Sequence, residues 1–154
     1  MKSIKQPPCH ASSAPRGKRL NFILWLTFAV WCITLFILSS IPNYRFPQPP
    51  FSWADKAVHT LIFATGAFLL GCAAKRTFHF ASWKGAVLIF VTMVLIGVGD
   101  EFHQTFTPGR SGNDRGDLLA DALGALLGLG CAALLHGKRP PKTDLATPLG
   151  NSAT

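Results

Sequence analysis

Six of the seven acidic residues in this 154-residue chain fall into three short groups at the edges of apolar stretches: Asp55, then Asp100 with Glu101, then Asp114, Asp117 and Asp121. An ionised, unpaired carboxylate at membrane depth costs about 2.5 to 3.5 kcal/mol, so a chain that gathers several there needs partners or a use for them. His59, His103, Gln104, Arg110 and Arg115 are interleaved with the acids and supply candidate partners. A buried carboxylate beside an imidazole suits general acid and base chemistry, and an arginine suits a carboxylate or an anionic headgroup. His59, Glu101, Asp117 and Asp121 also offer nitrogen and oxygen ligands, but across three segments and without a local metal motif, so neither a metal nor another cofactor is expected. No P-loop, dinucleotide fingerprint or serine nucleophile elbow occurs.

The elements that must position these groups are membrane helices. With 49% hydrophobic and 14% charged residues and a mean hydropathy of +0.30, the chain is too apolar for a soluble domain of its size. Four apolar segments are expected as helices at about residues 20–40, 54–74, 83–104 and 117–136, forming one membrane domain over 20–136 between disordered tails at 1–19 and 137–154. The net charge of +8 does not point to nucleic acid, because the basic residues flank apolar stretches. Lys and Arg concentrate in the N-terminal tail, in the connection holding Lys75, Arg76 and Lys84, and in the C-terminal tail. Those three regions are expected in the cytoplasm, so both termini lie inside and the acid groups face outward. Cys9, Cys32, Cys72 and Cys131 show no CxxC spacing, and neither a disulfide nor a zinc finger is expected.

Depth and rotation bring the polar residues together. Residues 85–99 would span only about 22 Å at helical rise, short of a hydrocarbon core of about 30 Å, so Asp100 and Glu101 are drawn inward. Measured from the basic residue at the opposite end of each helix, His59, Glu101 and Asp121 all reach about 24 to 25 Å. Spacings of three, four and seven put Asp55, His59 and Gly66 on one face, Gly97, Glu101 and Gln104 on another, and Asp117, Asp121, Gly124 and Gly128 on a third. Glycines at this spacing permit close helix contact, so the three faces are expected to meet in one outward-opening polar pocket. Asp55, Asp100 and Asp114 are expected at the wet boundary, with Glu101 and Asp121 below it. Asp55 and Asp117 also suit N-caps and Lys56 suits snorkelling, whereas Asp121 lies one turn too deep to cap. Between the last two helices, Pro108-Gly109 and Ser111-Gly112 signal turns in a loop able to fold back over the pocket with Arg110.

Three ordered blocks, DKAVHTLIF at 55–63, GDEFHQTFTPGRSG at 99–112 and DLLADALGALLG at 117–128, resemble the VanZ-like family of small bacterial membrane proteins. The family pattern falls on Asp55, Lys56 and His59; on Asp100, Glu101, Gln104, Phe106, Pro108, Gly109 and Arg110; and on Asp117, Asp121 and Gly124. The resemblance implies a four-helix protein of the bacterial inner membrane, in a family whose founding member is associated with resistance to the glycopeptide teicoplanin. It implies no settled reaction. The expected functional residues are Asp55, His59, Glu101, Gln104, Arg110, Asp117 and Asp121. Membrane lipids are the expected partners, with a lipid-linked or cell-wall small molecule as ligand. The alternatives are a hydrolase or transferase acting at the outer leaflet, and a purely structural hydrogen-bonded plug between helices.

Overall fold

The computed structural model describes residues 14–45, 51, 53–78 and 83–136. Cys9 and most of both tails therefore lie outside the described residues. The chain forms α1 (Ala14–Ser39), a 3-10 turn (Asn43–Arg45), α2 (Ala54–Phe78), α3 (Trp83–Gln104) and α4 (Arg115–His136), with no strand among the described residues. All four helices are long and apolar enough to cross a membrane, over Gly17–Ser39, Ala54–Phe78, Trp83–Gln104 and Arg115–Leu135. Helix α1 stops where Pro42 approaches, because proline disfavours helical geometry in the residue before it. Helix α4 starts at an N-cap supplied by Asp114, whose Oδ1 accepts the Gly116 amide at 2.7 Å. The cap is thus Asp114, and Asp117, one of the sequence-based candidates for that role, is left for the site.

The helices run alternately up and down, so α1 and α3 end where α2 and α4 begin. Helices α2 and α4 are parallel and make the closest pair, while α1 packs on α2 and α3 without touching α4. Their closeness has a local cause: a Cβ at Gly124 would run into the Thr60 carbonyl, and one at Gly128 into the Ala64 carbonyl. The α1–α2 seam is built instead from aromatic rings. Trp31 covers Gly66, donates its indole N–H to the Ile62 carbonyl at 3.0 Å and meets Phe63 edge-on at 5.8 Å. Gly66 therefore serves α1 packing rather than the polar face on which its spacing from His59 had put it. Phe63 and Met93 are wholly buried at the centre, whereas Leu26, Ile33, Leu61, Leu95 and Leu134 stand on the outer surface, as lipid contact requires.

Candidate functional site

The polar residues collect where α2 and α4 begin and α1 and α3 end, and they form two groups. In the first, His59 on α2 donates from Nδ1 to Asp121 Oδ1 on α4 at 2.9 Å, and both side chains are buried. The parallel α2–α4 pair explains this contact, since each residue lies about one and a half turns beyond its helix start. One turn nearer the end, Lys56 Nζ lies 2.6 Å from Asp117 Oδ1 and 3.1 Å from Asp114 Oδ2, bridging the first turn of α4 to its cap. The ammonium, followed by the Gly116 amide, holds the Asp114 carboxyl below its ordinary value of 3.8. Lys56 is thus a central member of the site and not only a snorkelling side chain.

Glu101 on α3 closes this first group. Its Oε2 accepts the backbone N–H of Asp114 at 2.6 Å, which pins the loop, and it lies within electrostatic range of His59, Asp117 and Asp121. The other oxygen, Oε1, is buried with no hydrogen-bond partner, and so is Asp121 Oδ2. Asp121 Oδ2 points at Gly97, one turn below Glu101, where a Cβ would come within 2.9 Å of it. Five carboxylates, those of Asp55, Glu101, Asp114, Asp117 and Asp121, therefore meet two basic side chains in their midst, Lys56 and His59. The surplus favours added hydrogen-bond donors or positive charge. Asp55, His59 and Asp117 can each present one ligand atom within 4.8 Å of the others, which makes them the residues able to hold a metal ion. The Lys56 ammonium already provides a cation against Asp117, and Asp55 is exposed.

The second group lies between α1 and α3. Asp100, expected at the wet boundary, is buried: Oδ1 takes the Ser39 hydroxyl and Oδ2 takes the Gln104 amide at 2.8 Å. Gln104 belongs here and not beside Glu101, because it accepts from Arg110 Nη1 at 3.3 Å while donating to Asp100. Arg110 also donates to the carbonyls of Ile41 and Leu38, each at 3.2 Å, and Thr107 Oγ1 donates to the Ser39 carbonyl at 2.9 Å. Leu38 and Ser39 lie in the last turn of α1 and Ile41 just beyond it, so the loop after α3 covers the end of α1. His103 turns to the same side, with Nε2 3.0 Å from Ser40 Oγ and its ring 4.6 Å from that of Phe36. The loop needs left-handed backbone to make its return, with φ of 77° at Gly109, 49° at Gly112 and 59° at Asn113.

The expected single pocket is therefore divided. Asp55, His59, Glu101, Asp117 and Asp121 surround the α2–α3–α4 junction, whereas Gln104 and Arg110 serve the α1–α3 junction. The expected set of functional residues left out Lys56, Ser39 and Thr107; a lysine beside Asp55 and serines ending an apolar segment were the available signals. A cavity of about 300 Å³ opens between α3 and α4 beside the first group. Val98, Phe102 and Leu118 give it apolar walls, and Glu101, Thr105, Asn113, Asp114 and Arg115 make up its polar part.

These features define a multi-pass helical membrane protein with a polar site at one end of its bundle. The VanZ/LLP1 family pattern matches residues 10–136, and the chain belongs to that family. No curated protein and no solved structure matches it.

Proposed function

We propose that the protein binds the polar headgroup of a membrane molecule in the α3–α4 cavity: a lipid headgroup, a lipid-linked cell-wall precursor or a glycopeptide-type molecule. The observation that carries this reading is the cavity's composition. Apolar walls from Val98, Phe102 and Leu118 suit an acyl chain or other lipid part, and the adjoining Glu101, Asp114 and Arg115 suit a charged head. By the distribution of Lys and Arg, the cavity faces outward from the bacterial inner membrane and both termini are cytoplasmic. Family membership is consistent with a role in the cell envelope, including a response to glycopeptides.

Filling the cavity tests the reading. Protein purified with native lipid is expected to carry a lipid-sized adduct in native mass spectrometry, and Leu118→Trp is expected to lose it while remaining folded. Equal retention by the two proteins would remove the cavity from the account.

The buried His59–Asp121 pair favours a second reading, a hydrolase or transferase working at the same membrane face. Asp121 would orient His59 as general base, and Glu101 would act as general acid. Absence of turnover across lipid-linked and peptidoglycan substrates, with and without divalent metal, would sink it.

A further inference from the structure

Two residues of α2 and one of α4 come together outside the α3–α4 cavity. Asp55 and His59 stand four residues apart and so share a face of α2, and the close α2–α4 packing brings Asp117, in the first turn of α4, against that face. Each of the three offers a ligand atom within 4.8 Å of the others. Two of them are buried and still have an atom to spare. His59 is only 7% exposed and commits Nδ1 to Asp121, which leaves Nε2 without a hydrogen-bond partner among the described residues. Asp117 is only 5% exposed and commits Oδ1 to Lys56, which leaves Oδ2 in the same state. Neither atom is sealed in, in contrast to Glu101 Oε1 and Asp121 Oδ2.

The residue behind His59 gives the set the character of a metal site. A histidine that ligates a metal almost always donates its other ring N–H to a carboxylate, carbonyl or water, which fixes the ring and raises its basicity. Asp121 accepts from His59 Nδ1 at 2.9 Å and is wholly buried, so it stands in that outer position. Lys56 neutralises only part of the local negative charge, since five carboxylates meet two basic side chains here. Tetrahedral ligands at about 2.0 to 2.1 Å from an ion stand roughly 3.4 Å apart, so closure asks for small shifts. Asp55 is free to make them, being exposed and engaged in no hydrogen bond or ion pair. We propose that Asp55, His59 and Asp117 bind one divalent transition-metal ion, zinc in preference to magnesium or calcium, with Asp121 as the positioning residue for His59. The imidazole nitrogen sets that preference, and three protein ligands leave a position open to water or to an oxygen of a bound molecule. No local motif announces these ligands, because two come from α2 and one from α4.

Full-length protein in detergent, stripped with a chelator and titrated with zinc against a chromophoric competitor, tests this. One zinc per chain is expected, bound at least about a hundredfold more tightly than magnesium or calcium. Asp55→Ala removes a ligand without breaking any hydrogen bond or ion pair, so zinc is expected to weaken at least about tenfold while the unfolding midpoint of the metal-free protein stays the same. His59→Gln is expected to lose the site, and Asp121→Asn to weaken it about 10- to 100-fold. Absence of stoichiometric zinc from the unmodified protein, or magnesium binding as tightly as zinc, would overturn the proposal. Zinc held equally well by Asp55→Ala would place the ion on other side chains and overturn it too, even if His59→Gln does not fold. Unchanged zinc affinity in a folded Asp121→Asn protein would remove Asp121 from its positioning role. None of the three ligands lines the α3–α4 cavity, so Leu118→Trp is expected to keep its zinc, and failure of the metal site leaves the headgroup reading to its own test.

Discussion

Asp100 and Glu101 are neighbours in sequence, both buried and both at the end of α3, but they serve opposite seams of the bundle. Asp100 turns toward α1, where each of its oxygens has a donor, and the Arg110 loop closes over that seam by capping α1. Glu101 turns toward α4, where one of its oxygens and one of Asp121's have none. A buried charged group left unsatisfied is costly, so the native state keeps the second arrangement at the expense of stability. The comparison separates a polar cluster that holds helices together from one that is short of donors. Lost stability should follow damage to the first, and lost binding damage to the second.

The largest effect on stability is expected at Asp100. Asp100→Ala strips the acceptor from both Ser39 and Gln104 in a buried seam, which should cost about 2 to 5 kcal/mol in a reversible unfolding measurement in detergent. Asp100→Asn, which keeps one acceptor, should recover part of this. If Asp100→Ala left stability untouched and abolished lipid binding, the division of labour between the seams would be wrong.

Arg110→Ala comes next, at about 1 to 3 kcal/mol, because it takes the side-chain donor from the Ile41 carbonyl and the second donor from the Leu38 carbonyl, which keeps the Ile41 amide. Arg110→Lys should behave nearly as badly, since one ammonium cannot reproduce a fork that serves two carbonyls and Gln104. Faster proteolysis between residues 105 and 114 in both variants is the readout that a role in headgroup binding alone would not move.

Glu101→Gln should change stability by less than about 1 kcal/mol, because glutamine retains an acceptor for the Asp114 amide while removing an uncompensated buried charge. Its effect should instead appear in ligand binding. A loss of stability as large as that of Asp100→Ala would show that Glu101 is part of the structural clamp.

Much of this architecture was open to reading in the sequence, and the rest was hidden for identifiable reasons. Four apolar runs of spanning length reported the helices directly, and the shared depth of His59 and Asp121, each about one and a half turns inside its helix, anticipated their contact. The division between Asp100 and Glu101 was not visible, because consecutive helical residues point about 100° apart and spacing alone leaves open which seam each one faces. Arg110 was hidden for another reason: its partners at Leu38 and Ile41 are 72 and 69 residues away, and a loop residue has no periodicity to show which helix it will cap. Lys56 was obscured by its own ordinariness, since a lysine at a helix start is explained well enough by snorkelling until Asp114 and Asp117 are found on either side of it.

The smallest effect concerns the rim of the open cluster. Asp114 is held below its ordinary value of 3.8 by Lys56 and the Gly116 amide, so its folded pKa lies under its unfolded one. Such a group contributes its stabilisation in full above the unfolded value and loses it as pH falls through the folded value. The start of α4 should therefore loosen only below about pH 4, with a midpoint under the ordinary value. Because both side chains of the Lys56–Asp114 pair are 38% exposed, the effect should be modest and should shrink further in high salt. Hydrogen exchange at residues 113–117, followed from pH 6 to pH 3, is the appropriate measurement. Asp114→Asn should show raised exchange throughout that range and little dependence on pH beyond the intrinsic exchange rate. The closed α1–α3 seam serves as the comparison, and Asp114→Asn should leave its exchange as it is in the unmodified protein. Loosening of that seam in step with the start of α4 would mean that the two clusters open as one unit, and would collapse the distinction between them.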